Sequence, residues 1–473
     1  MGIDVTSFYV YRWRYWIGYS LIGILLVGLL IFAGLYVPGG ISNKEVISVI
    51  KSSSISVTDV QSLAVTDLPY HLLQKVSLAI FGVSDFSIKL PSLIIGLFSA
   101  VGLIFLIRLW FRPNVAVLTS GIAVTTGQFL FTAQSGNPSI MYIFWSVWLL
   151  LLGTLIAKRV KPRTTWKVLF FVVAALSLYT PLSIYALISM AVAILLHPHL
   201  RYIIRQLSKP RLAGAFLLGV IVVIPLAIGV IKSPELGLTL LGVPTQWPNF
   251  GANLVLLSQQ YLGFALQSAT GVMTPFFGLG SVLIIGLGAY RLFSMRQSAQ
   301  TYLIITWLVC LVPIMITNPR FMSVAFLPLV LLLATGLNSL FRYWYSLFPN
   351  NPYARILGLL PLGVLVIALI FSGLERYIYG YHYAPQTVQN FSQDLSLLPK
   401  NTRNLVVTAS QLPFYNVVAA HNKNLAVSTA PSSNTFVSTF AAKKSYTGYS
   451  VERIVTSTAY QNSDRFYVYK KVN

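Results

Sequence analysis

Charge is what this sequence has least of. Only 9% of its 473 residues are Asp, Glu, Lys or Arg, against roughly 25% in an ordinary soluble domain, while 56% are hydrophobic and the mean hydropathy is +0.74. A folded monomer so poor in charge cannot cover itself with a water-facing surface, which excludes a soluble globular protein. Cysteine is nearly absent as well. Cys310 stands alone inside an apolar run, so no intrachain disulfide is available and any exported part folds without that staple. Acids are scarce, 10 against 33 Lys and Arg, leaving a formal net charge of +23. Such an excess can serve phosphate binding, but these cations lie in short clusters between apolar runs, as membrane orientation requires, and no nucleic-acid partner is expected. Also missing are a phosphate-binding P-loop, HExxH, GxSxG, a Cys/His metal pattern and any internal or inverted repeat.

What the chain does have is apolar runs of about 20 residues, the length that crosses a hydrocarbon core. They begin near Trp16, Leu90, Asn114, Ser139, Trp166, Leu182, Leu212, Ser281, Thr301, Phe321 and Ile356. The fold class expected is a polytopic α-helical membrane protein with about 11 transmembrane helices. The first run, residues 16–36, follows Arg12 and Arg14, is too long for a signal-peptide core and lacks a small-residue cleavage site, so it reads as a retained helix. With the N-terminus in the cytoplasm, alternate loops hold Arg108 and Arg112; Lys158, Arg159, Lys161, Arg163 and Lys167; Arg201, Arg205, Lys209 and Arg211; Arg291 and Arg296; Arg342 and Arg355. All then fall inside. Of the acids only Asp4 does so; Glu45, Asp59, Asp67, Asp85, Glu235, Glu375, Asp394, Glu452 and Asp464 fall on the opposite face. Acids contribute little to orientation, so their segregation points to chemistry on the extracytoplasmic face.

Residues 1–375 form the expected transmembrane domain, with residues 37–89 as its first extracytoplasmic loop. In that loop the semi-apolar residues 72–81 suit a helix lying in the membrane interface. A second long loop, residues 233–280, is rich in Gly, Pro, Gln and Trp and reads as loop plus short helices. Residues 376–473 have the composition of a small soluble α/β domain on the extracytoplasmic side. Strands are expected at 404–410, 425–429, 453–457 and 465–469, and a helix at 387–398.

The residues that invite chemistry lie in order along the extracytoplasmic face. Gly39-Gly-Ile-Ser-Asn-Lys-Glu45 leaves the first helix; Asp67-Leu-Pro-Tyr-His71 follows, then Phe81-Gly82, Ile88-Lys-Leu-Pro-Ser92 and, late in the chain, Pro319-Arg320-Phe321 with Leu327-Pro328. This order resembles the polyprenyl-phosphate-sugar-dependent glycosyltransferases of the GT-C fold, the family of protein O-mannosyltransferases and the aminoarabinose transferase of lipid A. Those enzymes carry a helix ending near proline, an Asp-Glu pair, Pro-Pro-Leu-Tyr-Tyr/His, Phe-Gly, Arg-Leu-Pro-Ser and a late Arg-Tyr-(Leu/Met)…Leu-Pro. The counterparts here are Pro38, Lys44-Glu45, Leu68-Pro69-Tyr70-His71, Phe81-Gly82, Lys89-Leu90-Pro91-Ser92 and Arg320. Lys44 stands where the family has its first acid and Lys89 where it has Arg. Gln134, Asn137 and Ser139 stand where it has an Arg/Asp pair.

The resemblance implies an inverting hexosyl- or pentosyl-type transferase of the plasma membrane, moving a sugar from a polyprenyl-phosphate donor to a glycan, lipid or protein acceptor. Such transfer needs a carboxylate to take the acceptor proton, donors for the departing phosphate and an apolar groove for the tail. On this reading Glu45 and Asp67 are the catalytic candidates. Arg320, Lys89, His71 and Tyr70 are candidates for the donor phosphate, and Asn137 and Glu235 further ones. No cofactor is implied; the outer acids leave room for a divalent cation, but no ligand spacing argues for one.

Each residue also has a plainer role. Ser42-Asn-Lys-Glu45 has capping-box spacing, Asp67 suits a turn before Pro69, and Tyr70 and His71 suit an interfacial anchor. Lys89 fits a snorkelling cation, Glu235 a loop cap, and His197 and His199 structural positions on the cytoplasmic side. Arg320 is the misfit, a cation on a short extracytoplasmic loop. Two other functions remain open: a silent relative acting as a binding or scaffold subunit, and a transporter of lipid-linked saccharides. The sugar, the acceptor, the role of the C-terminal domain and the oligomeric state are not encoded legibly.

Overall fold

The computed structural model describes positions 13, 16–17, 19–21, 23–24 and 27–28 of the first helix. Beyond it, residues 40–56, 58–59, 61–206, 209–262, 276–295, 298–347, 352–382, 391, 393, 395–422, 424–456 and 465–472 are described. Pro38, Asp4, Asp394 and Asp464 lie outside them.

Two helices occupy the first loop, α1 (Asn43–Ser54) and α2 (Leu68–Phe81). The bundle continues with α3 (Asp85–Trp110), α4 (Pro113–Val124), α5 (Gly127–Gln134), α6 (Ile140–Ala157), α7 (Arg163–Ser177), α8 (Ser183–Leu196), α9 (Pro198–Arg205) and α10 (Lys209–Lys232). The second loop contains α11 (Pro234–Leu241) and α12 (Phe250–Leu262), the short helices its composition predicts. Then come α13 (Leu279–Ser294), α14 (Ala299–Thr317), a 3-10 turn (Pro319–Ala325), α15 (Phe326–Leu347) and α16 (Pro352–Glu375).

Each apolar run after the first thus contains a helix. Among the described residues, six helices are long and apolar enough to cross a membrane, or up to eight if the bent pairs α4/α5 (57°) and α8/α9 (97°) each count once. Their outward residues are apolar: Ile94, Phe98, Val101 and Phe105 recur at helical spacing on α3 and are exposed, as are Val364, Ile367 and Phe371 on α16. An exposed apolar stripe of that length is satisfied by lipid, so the chain is a multi-pass membrane protein. Inside the bundle, α13 and α15 cross so closely that a Cβ on Gly288 would stand 1.9 Å from the Leu332 carbonyl oxygen and one on Gly336 2.1 Å from that of Ile284. Small residues at a crossing let the backbones meet, which replaces the hydrophobic drive that helices in lipid lack.

At one end of the bundle the Lys158 ammonium donates to the Leu109 carbonyl and Arg159 to the Gln206 side chain. At the other end are α1, α2 and the acids of the first loop.

The C-terminal segment forms a five-stranded sheet of order β2-β1-β3-β5-β4, with β1 (Asn404–Val406), β2 (Ala426–Ser428), β3 (Thr435–Thr439), β4 (Tyr449–Thr456) and β5 (Arg465–Lys471). β1 runs parallel to β2 and β3, while β3–β5 and β5–β4 are antiparallel. The expected helix at 387–398 is corrected where described. Gln393 makes an antiparallel bridge with Ile41 and Leu395–Leu397 is a 3-10 turn, while the helix of this domain is α17 (Leu412–His421). Gln393 is recruited by the first loop, and Leu395, Leu397 and Leu398 pack against the core shared with it, rather than following a helical periodicity. Ile41, Val49, Leu78 and Ile88 share one core with Leu405, Phe414, Val418, Val437 and Phe466, so sheet, α17 and first loop are packed together.

Candidate active site

Glu45 is fully buried at the third position of α1 and closes a capping box. Ser42 donates to its Oε2 from the backbone (2.6 Å) and from the hydroxyl (2.9 Å), while the Glu45 amide reaches back to Ser42 Oγ at 3.4 Å. Its other oxygen, Oε1, accepts the Gly136 amide at 2.5 Å across 91 positions of sequence. Gly136 is there for closeness: a Cβ would lie 3.0 Å from that oxygen and 2.8 Å from an Ile88 methyl. Beside this stands Gln74, whose Oε1 accepts from Ser48 and Ser52 (2.7 Å each) and whose Nε2 donates to the Ile88 and Gly136 carbonyls (3.1 Å each). Ser52 Oγ is also 2.9 Å from His71 Nδ1. Glu45, Gln74 and His71 therefore fasten α1, α2, the start of α3 and the 135–139 turn into one polar knot. Burial, and secondarily the Lys51 charge, pushes the His71 imidazole down to about 4, so it is neutral at pH 7.

Asp67 is buried differently. It precedes α2 in the left-handed conformation (φ 56°, ψ 32°), its amide donates to the Tyr179 carbonyl (2.8 Å) and its carbonyl accepts from Tyr70 (3.0 Å) and His71 (3.2 Å). An aspartate at a helix start usually turns its carboxylate onto the first free amides; this one makes no such cap. The left-handed backbone, of order 1 kcal/mol unfavourable for a residue with a Cβ, carries the side chain elsewhere. Its Oδ1 is buried with no hydrogen-bond partner among the described residues. Burial pushes the carboxyl up to about 7, opposed only in part by the Thr180 hydroxyl and the Lys51 charge. Thr180 is itself held by the Trp145 indole N–H at 2.9 Å.

The other predicted residues surround these two carboxylates. Tyr70 is fully buried, its phenol 2.8 Å from Ser92 Oγ, and both Glu45 and Asp67 act electrostatically on it; burial raises the phenol well above its ordinary value. Asn137 accepts the Ser139 amide with its side chain (3.0 Å), and its carbonyl accepts from Ser92 at 3.4 Å. Lys89 is buried, donates to the Gly40 carbonyl at 2.5 Å and lies over the Phe391 ring at 5.2 Å. Arg320 stands exposed in the 3-10 turn, with no hydrogen-bond or ion-pair partner among the described residues. Phe321 beside it meets the Tyr142 ring edge to face at 6.1 Å, and Tyr142 in turn lies within electrostatic reach of Asp67. Asn253 and Tyr261 of α12 brace this turn through the Ile316 (2.8 Å) and Met322 (3.0 Å) carbonyls. Glu235 is not drawn in; it is exposed at the start of α11.

Sequence reasoning missed Tyr142, Trp145, Thr180 and Gln74, and took Ser92 only as the end of the Lys89-Leu90-Pro91-Ser92 motif. Only Gln74 left a trace, because His71 and Gln74 share one face of α2 and Ser48 and Ser52 one face of α1. As for a metal, no three described His, Cys, Asp or Glu side chains come together, and both Glu45 oxygens are taken by protein donors.

Residues 69–228 match the family of dolichyl-phosphate-mannose-protein mannosyltransferases. That segment begins at Pro69 and includes Tyr70, His71, Lys89 and Asn137, but not Glu45, Asp67 or Arg320. No curated protein matches by sequence. Among solved structures, the ArnT protein of Cupriavidus metallidurans superposes with a TM-score of 0.51 at 12% identity, over 96% of this chain and 98% of that one. The chain has the GT-C fold. The resemblance read from its motifs thus holds at the level of architecture, and its structural relatives are polyprenyl-phosphate-dependent glycosyltransferases. ArnT has also been solved bound to undecaprenyl phosphate. The oligosaccharyltransferase AglB of Archaeoglobus fulgidus, solved with an inhibitory peptide and a dolichol-phosphate, matches at a TM-score of 0.50 and 14% identity, over 88% of this chain. The chain spans 64% of the length of that GT-C protein.

Proposed function

We propose that this chain is a membrane glycosyltransferase that moves a sugar from a polyprenyl-phosphate donor to a hydroxyl-bearing acceptor at the extracytoplasmic face, with inversion. The observation that carries the reading is Asp67: a buried carboxylate with one unpartnered oxygen and a pKa near neutrality, at the loop end of a GT-C bundle. A base is most useful when its pKa lies near the working pH, and a desolvated carboxylate is a stronger acceptor of a proton than an ordinary one. Asp67 takes the proton of the acceptor hydroxyl as the oxygen attacks the anomeric carbon. The bond to the lipid phosphate breaks on the opposite side of that carbon, and the phosphate leaves with the electron pair. Arg320, exposed on a turn that reaches Asp67 through Phe321 and Tyr142, supplies charge to the departing phosphate. Tyr70 can add a hydrogen bond; neutral His71 and the carbonyl-bound Lys89 hold the site's walls. Glu45 is a positioning residue that fixes the turn around Gly136. No step is routed through a metal. The domain division at residue 375, the cytoplasmic N-terminus and the extracytoplasmic sheet belong to this reading.

Purified protein in lipid vesicles, given a panel of polyprenyl-phosphate sugars and membrane extract as acceptor source, should release polyprenyl phosphate from one of them, and Asp67→Asn should abolish the release. Release by the Asp67→Asn protein at the wild-type rate would remove Asp67 from the chemistry. No release from any donor would favour the silent scaffold subunit, which Lys44 in place of the family's first acid and the full engagement of Glu45 also fit.

A further inference from the structure

A partly open cavity lies at the opposite end of the molecule, among the basic loops. It has a volume of about 640 Å³ and opens between α6, α7, α8 and α14, with Phe170, Met190, Ile203 and Leu303 among its apolar walls. That volume falls within the ~300–1,000 Å³ of sites that hold small organic ligands. The floor is α9, which turns 97° away from α8 at His197-Pro198 and so runs across the bundle rather than along it. Ile203 of α9 is buried against the cavity while Arg201 and Tyr202 are exposed, the arrangement of a helix lying in a membrane interface. The charged groups lining the cavity are all cations or can become so: Lys158 and His199, both exposed, and Lys167, buried.

The chain offers little counter-charge for this end. The described acids lie in the first loop up to Asp85, in α11, at the end of α16 and in the sheet, all away from these basic loops. An apolar pocket between membrane helices, floored by an interfacial helix and lined by basic groups where the helices leave the bilayer, matches the chemistry of an anionic lipid: fatty chain inward, phosphate at the rim. We propose that the basic end of the bundle binds an anionic glycerophospholipid, with an acyl chain among Phe170, Met190 and Leu303 and the headgroup phosphate against Lys158, Lys167 and His199. The site is independent of the proposed transfer reaction and at the other end of the helices from Asp67. Its occupant ties α9 to α7 and α14 and so stiffens the basic end.

The full-length protein, purified in mild detergent, is the material for the test. Native mass spectrometry and thermal unfolding would compare added phosphatidylglycerol, phosphatidylcholine and polyprenyl phosphate. Phosphatidylglycerol should bind in preference and raise the unfolding temperature. Lys158→Glu, at an exposed position, should weaken that binding about tenfold, because each basic contact at a membrane surface contributes about 1 kcal/mol and the reversal removes one and adds repulsion. Ala157→Trp, which fills the cavity from its wall, should reduce binding of phosphatidylglycerol whatever the salt concentration. Equal binding of phosphatidylcholine and phosphatidylglycerol, or an unchanged affinity in Lys158→Glu, would overturn the site. Tighter binding of polyprenyl phosphate than of phosphatidylglycerol would overturn the occupant.

Discussion

Two buried carboxylates sit at the same end of this molecule and are treated in opposite ways. Glu45 has every oxygen engaged, by Ser42 on one side and Gly136 on the other, and the knot it joins continues through Gln74 to His71. Asp67 has an oxygen with no donor among the described residues, on a backbone held in a conformation that keeps the carboxylate off the helix end. A fully satisfied buried carboxylate rigidifies; an unsatisfied one is a standing cost and marks a candidate for chemistry. The difference separates scaffold from chemistry more sharply than position in a motif does, since the motif alone favours Glu45.

The largest effect that can break this comparison is on turnover. Asp67→Asn should lower transfer about 10²–10⁴-fold, the range for loss of a general base, while leaving the protein folded. Its stability should move the other way. The carboxyl titrates near 7 in the fold against 3.8 in the open chain, so the native state holds the extra proton and stability falls as pH rises from about 4 to about 7. Asn carries no such term, so at pH 8 the variant should unfold at a higher temperature than wild type, by on the order of 1–3 kcal/mol of stability. A variant both inactive and less stable at pH 8 would mark Asp67 as structural.

Arg320→Ala comes next. A guanidinium that meets the departing phosphate should contribute about 10–100-fold to kcat/KM, and Arg320→Lys should recover only part of it, because a lysine gives charge without the planar fork. Exposed as it is, Arg320 should be dispensable for folding, so a fall in unfolding temperature in Arg320→Ala would count against a purely functional role. Glu45→Gln should then invert the Asp67 pattern. It leaves Ser42 or Gly136 short of an acceptor and costs about 1–3 kcal/mol of stability. The folded fraction should keep transfer within about tenfold of wild type, the smaller effect expected when a positioning residue rather than a base is altered. Loss of turnover without loss of stability in Glu45→Gln would return the base to Glu45.

How much of this was legible in the chain depends on the range of the forces involved. Membrane helices follow from hydropathy alone, and runs at Leu90, Ser139, Leu212, Thr301 and Phe321 each sit within a helix because desolvation acts residue by residue. Ser42-Asn-Lys-Glu45 shows as a capping box because its partners are three residues apart. Gly136 on Glu45 spans 91 positions and the Asp67 amide on Tyr179 spans most of the first half of the bundle, and no local pattern announces either. Most of the sheet was visible, since β1, β2, β4 and β5 each overlap an expected strand. β5 reads as a strand from Arg465-Phe-Tyr-Val-Tyr, whereas β3 and α17 escaped notice, and residues 393–398 read as helix although Ile41 pairs with Gln393. The unpartnered oxygen of Asp67 is the least legible feature, since it is fixed by a left-handed backbone that an aspartate adopts without any glycine to signal it.

The smallest expected effect tests the satisfied side of the comparison. His71 titrates at about 4 in the fold against 6.5 in the open chain, because burial and the Lys51 charge disfavour the imidazolium. The unfolded chain therefore takes up the proton first, and stability should fall as pH drops from 6.5 toward 4, by on the order of 1 kcal/mol near pH 5.5. The same window works in the opposite sense for Asp67, whose protonation favours the fold, so the two limbs partly offset in wild type. Asp67→Asn should expose the acid-side loss, and adding His71→Gln, whose amide can still meet Ser52, should flatten it. If the double variant keeps the acid-side slope, the proton is being taken up elsewhere and the knot around Glu45 does not hold a neutral imidazole. If the slope disappears while His71→Gln alone leaves transfer unchanged, His71 belongs with Glu45 to the scaffold, and the contrast with Asp67 holds for the whole network rather than for one carboxylate.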